Sequence, residues 1–372
     1  MKKIFTNSFC KSNMFALLIF LFILFGSLSL HAQEHHKINI DVELESLRPP
    51  LPKFMDYNLG ADPMLNTPKK QMAYMADDNN GLTATPTSHG RVFGGRYQWG
   101  RANLPYAIST DGNYTLYDGN IDHIILLASI TPPPVYDFTT GQIIGQDMNH
   151  VYSNTSPNDW CVPQINSLWG NGKAIDVSTI SGVFYEENYY QQPVKTVNDP
   201  CPPTWRVPTQ DEWEILGNYD CDPTHAVANF KVLSSSIEFR SGLTWVRVSC
   251  SNNACKTTDK WEASDRDRSG YAIYETVIWN NAAAGYKDGS LDLSDNDAPN
   301  PFMFLPTAGF RYNTAGNVAD MGSRGLYWSS SINGTNAYFL NFYGTDIYFN
   351  GSSNRTRGIS IRCVKCGAEP CD

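Results

Sequence analysis

The chain has 372 residues, with 28 Lys and Arg against 37 Asp and Glu, for a net charge of −9. No lysine or arginine cluster stands out, which excludes nucleic acid as the expected partner. Tyrosine (20), glycine (28) and proline (22) are abundant while long runs of helix formers are missing, a balance that predicts short strands joined by long, ordered loops.

Lys2 and Lys3 precede "MFALLIFLFILF" (Met14–Phe25), an unbroken apolar run. Its length suits the hydrophobic region of a signal peptide and falls short of the roughly 18–20 residues of a spanning helix. Cleavage is expected after Ala32, so 1–32 reads as a signal peptide, the protein as exported, and no membrane span remains. The competing reading is an uncleaved anchor. Cys10 lies ahead of the apolar run and cannot carry a lipid there. "KINIDVELE" (Lys37–Glu45) alternates, with Ile38, Ile40, Val42 and Leu44 on one face of an expected strand. "RPPLP" ends it, because proline cannot donate to a ladder. Residues 33–53 therefore read as a strand and linker, and 54–372 as one large domain.

Within that domain, "DPCPPTWRVPTQDEWEIL" (Asp199–Leu216) holds the clearest local signal. Thr209 and Glu212 form a capping box that starts a helix at Gln210, with Trp213 and Leu216 turned toward the core. Asp211 and Glu212 favour the positive end of the helix dipole, so they need no catalytic explanation. The stretch reads as a structural corner. Residues of about 217–300 read as a polar insert, with "CSNNAC" (Cys250–Cys255) as a crosslinked surface loop. Pattern returns at "FMFLPTAGF" (Phe302–Phe310) and "GLYWSSS" (Gly325–Ser331). "NAYFLNFY" (Asn336–Tyr343) alternates, sending Tyr338, Leu340 and Phe342 inward and Phe339, Asn341 and Tyr343 outward. "GISIRCV" (Gly358–Val364) is the last expected strand.

Eight cysteines remain once Cys10 is removed, and an even count in an exported chain reads as disulfides. "CVKC" (Cys363, Cys366) has zinc-type spacing, but no second pair follows. "DLSDND" (Asp292–Asp297) offers calcium-type oxygens, yet it lacks the glycine and distal glutamate of an EF-hand, and a solvated acidic loop is the simpler account. His89, His123, His150 and His225 are scattered, no G-x-S-x-G elbow appears, and glycine-rich "SHGRVFGGRYQWG" has no phosphate-binding lysine after it. No catalytic residue, cofactor or metal is expected.

The segment Asn333–Arg357 is dense in Asn, Tyr, Ser, Thr, Gly, Asp and Arg, the composition of antibody binding loops. It is the expected ligand surface, through Asn336, Phe339, Asn341, Tyr343, Asp346, Tyr348, Asn350 and Arg357. The competing reading is a polar hairpin with incidental aromatics.

Taken in order, "NLGA", "YQWGR", "DWC", "LWG", "NDPCPPTWRVPTQDEW", "LPTAGFR", "GLYWSSS" and "SIRCV" resemble the Fibrobacter succinogenes major paralogous domain. The resemblance implies an α+β, C-type-lectin-like fold, β-rich with few helices, and no established enzymatic activity. It also implies a disulfide between Cys201, ahead of the helix, and Cys363, in the final strand. Cys250–Cys255 is then a local bond, Cys366–Cys371 the next assignment, and Cys161–Cys221 what remains. Thr204 stands where the family usually has glycine, in "PCPxGW".

"RVPTQDEWEIL" is also similar to a stretch of formylglycine-generating enzymes, and Cys250 and Cys255 share the spacing of their reactive pair. The neighbouring motifs of those enzymes are absent, and "SNNA" supplies no electropositive setting for a thiolate. "WNN" (Trp279–Asn281) lies ahead of "LPTAGF", the wrong place for a lectin's calcium-dependent sugar site. Residues 333–357 look like the variable region of proteins diversified by retroelements. The implied role is ligand recognition, with a protein or glycan at a cell surface as partner. The alternatives are a structural, fimbria-associated envelope component and, third, a formylglycine-generating oxidase.

Overall fold

The computed structural model describes residues 51–77, 91–102, 124–145, 150–153, 155–170, 195–217, 229–231, 236–238, 243–258, 261, 268–275, 278–280, 292–344 and 346–366. The chain divides into two compact units, one made of Pro52–Ala174, Gln192–Gly217 and Ala228–Asp372, the other of Met1–Leu51, Ile175–Gln191 and Asn218–Val227. Only Leu51 of the second unit is described, so the architecture below is that of the first. The expected signal peptide and the strand over Lys37–Glu45 lie outside the described residues.

The fold is β-rich with few helices. The terminal sheet runs antiparallel in the order Arg324–Asn333, Asn336–Tyr343, Asp346–Asn354 and Asn229–Lys231. Gly334, with φ of 60°, takes the first central position of the tight turn between paired Asn333 and Asn336, where a residue with a Cβ is disfavoured. The middle sheet orders Ala254–Thr257, Leu243–Ser251, Ser269–Glu275 and Met303–Pro306, and Ser236–Glu238 also pairs with Leu243–Ser251. The stretch read as a polar insert thus supplies most of this sheet.

"CSNNAC" is not a surface loop. Asn252 and Asn253 adopt φ of 50° and 61°, the two left-handed residues of a tight hairpin turn, and Cys250 faces Cys255 across the strands. Both cysteines are fully buried, packed with Met72 and Met75 of the helix Pro68–Ala76 and with Val246, Val248 and Phe304. Polar residues mark only the turn; the strands on either side face a core.

The expected helix forms over Gln210–Ile215 with both hydrogen bonds of the capping box, and Trp213 and Leu216 are fully buried. The last expected strand is broken into Gly358–Ile359 and Val364–Lys365. Carbonyls between them serve other partners: Ser360 accepts from Trp328 N, Ile361 from Leu59 N, and Cys363 from Met55 N. That segment is a seam joining separate elements, so it cannot run as one regular ladder.

Five buried indoles each donate to a backbone carbonyl: Trp99 to Ser329, Trp160 to Trp99, Trp169 to Arg101, Trp213 to Trp328, and Trp328 to Tyr97. A tryptophan inside a core favours such an acceptor; three of these bonds reach or leave the terminal sheet at Trp328 and Ser329, and the other two link 160–169 to 99–101. Arg362 does the same with charge. Fully buried, it donates to Asn58 Oδ1, Met55 O and Phe304 O. Burial without a carboxylate at hydrogen-bond distance lowers its pKa to about 10.

Candidate functional site

The corner at Asp199–Leu216 is electrostatically closed. Arg206 and Glu212, both buried, pair through two parallel hydrogen bonds of 2.7 and 2.6 Å, and Glu212 also accepts from Thr209 N. Asp199 accepts from Cys201 N, Val207 N and Lys195 Nζ, while Lys195 also donates to the carbonyls of Cys201 and Trp205. Burial raises the Asp199 pKa against the pull of Lys195. These charged groups are spent on the fold.

Cys201 and Cys363 form a disulfide with Cα atoms 6.0 Å apart, and Cys250–Cys255 form a second. Cys366 is also disulfide-bonded, and its expected partner Cys371 lies outside the described residues. The zinc reading of "CVKC" therefore fails, because its two sulfurs belong to disulfides. Cys161 is not paired with Cys221. It is a free, buried thiol whose Sγ lies 3.6 Å from Pro163 O. Burial and the neighbouring Asp159 push its pKa well up, so it is an unreactive side chain of the core. In "DLSDND", Asp292 Oδ1 accepts from Cys255 N, Ser294 N and Ser294 Oγ, while Lys69 Nζ donates to the carbonyls of Asn296 and Ala298.

The expected binding set divides. Phe339 and Asn341 are not outward: both are buried, Phe339 against Trp328 and Asn341 with its Oδ1 accepting from Arg324 Nε. The reason is a second packed layer. Phe342 packs against Tyr271 with ring centroids 5.1 Å apart, so this strand has core on both faces and alternation cannot sort it. A register shift between Phe339 and Asn341 further breaks the period of two. Tyr338, expected inside, is only half-buried. Asn336 is half-buried at the far end of the strand from Tyr343, roughly 23 Å away at strand rise.

The remaining members do share a face. Tyr343 is 41% exposed, and its ring stacks on Tyr348 at 5.6 Å and 11°, with the two hydroxyls 3.3 Å apart. That hydrogen bond pushes the Tyr348 hydroxyl up to about 12. Asp346, Tyr348 and Asn350 alternate with buried Ile347 and Phe349; Asn350 is exposed and the other two are half-buried. Arg357 is half-buried, its guanidinium 4.5 Å from the centroid of the Phe310 ring.

Four residues of this face were not anticipated. Arg324 lies over Tyr343 at 5.0 Å and over Phe310 at 5.6 Å, its Nη1 3.7 Å from Asp320, and exposed Tyr312 sits edge-on to Phe310. Sequence gives little signal for this grouping. Counting back from the tight turn pairs Leu326 with Tyr343; a bulge between Trp328 and Ile332 moves Arg324 there instead.

With this geometry in place, one comparison decides the family. The Fibrobacter succinogenes major domain matches residues 55–365. The chain belongs to that family. Comparison with curated proteins and with solved structures finds no match. Membership spans the corner, both sheets and the tyrosine–arginine face in one domain. Among the described residues no helix is long and apolar enough to cross a membrane.

Proposed function

We propose that this protein is an exported, non-enzymatic recognition protein of C-type-lectin-like fold, binding a cell-surface ligand through Tyr343, Asp346, Tyr348, Asn350 and Arg357. One observation carries the reading: a stacked tyrosine pair and adjoining arginines stand at the solvent end of a sheet whose middle is wholly committed to core. Tyrosine presents a large rigid contact area at low entropic cost, which suits a preformed site. The Cys201–Cys363 bond, tying the segment before the helix to the last strand, supports the lectin-like assignment. The side-chain variety of 333–357 is also that of a segment diversified by a retroelement; a reverse transcriptase and a near-copy of these codons beside the gene would test that. Binding of the purified protein to arrayed glycans and intact cells, compared with Tyr343→Ala and Tyr348→Ala, tests the site. Equal binding by all three proteins overturns it.

A second reading, a structural envelope component, is favoured by a different patch. Val135 pairs with Ile144 and bridges Val162, and all three are exposed. Cross-strand neighbours share a face, so this is one contiguous apolar strip. Concentration-dependent assembly abolished by Ile144→Ser would support that role.

A further inference from the structure

Most guanidiniums among the described residues have at least one hydrogen-bond acceptor. Arg206 meets a carboxylate, Arg362 meets three oxygens, and Arg355 donates to Ile165 O and Asn166 Oδ1. The Arg357 guanidinium makes no hydrogen bond or ion pair among the described residues, and its Nε is buried. Arg324 uses only Nε, on Asn341; the nearest carboxylate, Asp320, is beyond hydrogen-bond distance. Both guanidiniums lie against the same Phe310 ring. Two positive groups thus share one aromatic support, with one partly exposed carboxylate beside them.

Exposed rings flank this pair, Tyr343 at 41% and Tyr312 at 38%. We propose, resting on the recognition reading above, that this face binds an acidic glycan, a uronate carboxylate engaging Arg357 and Arg324 while a sugar ring lies against Tyr343 or Tyr312. A carboxylate matches the planar guanidinium fork, forming two charge-assisted hydrogen bonds. The patch suits a short ligand better than a protein, whose stable interface needs about 800 Å² per partner and an apolar centre. A chain of net charge −9 repels polyanions at long range, so the attraction is local and sensitive to salt.

The test uses short oligogalacturonates, their carboxyl-reduced neutral counterparts, and an acidic peptide, each titrated against the intact protein. The oligogalacturonate should bind, and removing its carboxyls should weaken binding by about tenfold or more, as for loss of a charge-assisted hydrogen bond. Arg357→Gln and Arg324→Gln should each cost about tenfold, with Arg357→Lys recovering part of the loss. Thermal melts of each variant separate lost binding from lost fold. Equal binding of acidic and neutral glycans, abolished by Tyr343→Ala, overturns the acidic ligand and leaves recognition at this face standing. Preference for the acidic peptide overturns the glycan. Absence of binding to every probe and to cells, or binding indifferent to Tyr343→Ala, overturns both.

Discussion

The corner at 195–216 and the face around Tyr343 are both rich in charge and aromatic rings, yet they spend them differently. In the corner, Lys195, Asp199, Arg206 and Glu212 are neutralised by one another and by the backbone. At the sheet end, among the described residues, the Arg357 guanidinium has no hydrogen-bonding partner and that of Arg324 hydrogen-bonds only through Nε, with Asp320 3.7 Å from its Nη1. Residue types alone do not separate the two regions; what differs is how far each charged group is neutralised by its neighbours.

The strongest way to break the comparison is to open the corner. Glu212→Ala leaves Arg206 buried without its carboxylate and removes one of the two hydrogen bonds of the capping box, which should destabilise by about 3–5 kcal/mol in urea denaturation. Phe339→Ala and Phe342→Ala, on opposite packed layers of one strand, should each cost about 3–5 kcal/mol. A small loss at Phe339 would show that this strand is not covered on both faces.

His150 sharpens the distinction, because its ring is sealed from solvent. Among the described residues neither ring nitrogen meets hydrogen-bond geometry, and burial, followed by the charges of Arg311 and Arg101, lowers its pKa well below the usual value against the weaker opposing pull of the Tyr312 and Thr356 backbone. Folding therefore holds it neutral where a free imidazole protonates. Its stability contribution is complete above about pH 6.5 and is lost as the pH falls, since the unfolded chain then takes up a proton that the folded one refuses. Denaturation midpoints between about pH 5 and 8 should decline toward acid in the wild type and decline less in His150→Gln. That difference removes Asp159 and Asp199, whose raised pKa values act in the opposite sense.

How legible this was in the sequence follows from the range of each interaction. The capping box was readable because Thr209 and Glu212 are three residues apart and act locally. The Cys201–Cys363 bond spans 162 residues and came only through family resemblance. Alternation on Asn336–Tyr343 placed Leu340 and Phe342 inside but failed at Phe339, where the layer covering the other side comes from distant strands. "CSNNAC" misled because two asparagines demanded by turn geometry looked like surface polarity. Arg324 was missed because a bulge, invisible in composition, sets its register against Tyr343.

A smaller effect is expected in the corner itself. Thr204, where the family usually has glycine, adopts φ of 68°. A β-branched residue in the left-handed region is strained by about 1–2 kcal/mol, part of which glycine's larger unfolded-state entropy offsets. Thr204→Gly should raise stability by about 0.5–1 kcal/mol. A loss would mean that Thr204 makes a compensating interaction at this turn.

The smallest change in stability should come from the residue with the largest effect on binding. Tyr343 is exposed, and its contacts are one stacked ring, one hydroxyl and one guanidinium, all at the surface. Tyr343→Ala should shift unfolding by no more than about 0.5 kcal/mol, as exposed substitutions usually do. If the face is the binding site, the same change should weaken ligand binding by about 1–2 kcal/mol, since a rigid aromatic beside arginines has the character of a hot spot. Both quantities come from one preparation, a melt and a titration. A variant that melts early and binds in proportion to its folded fraction would make Tyr343 scaffold like Phe339. A variant that melts with the wild type and has lost its ligand would place the boundary between core and binding face between Phe342 and Tyr343, one residue apart on a single strand.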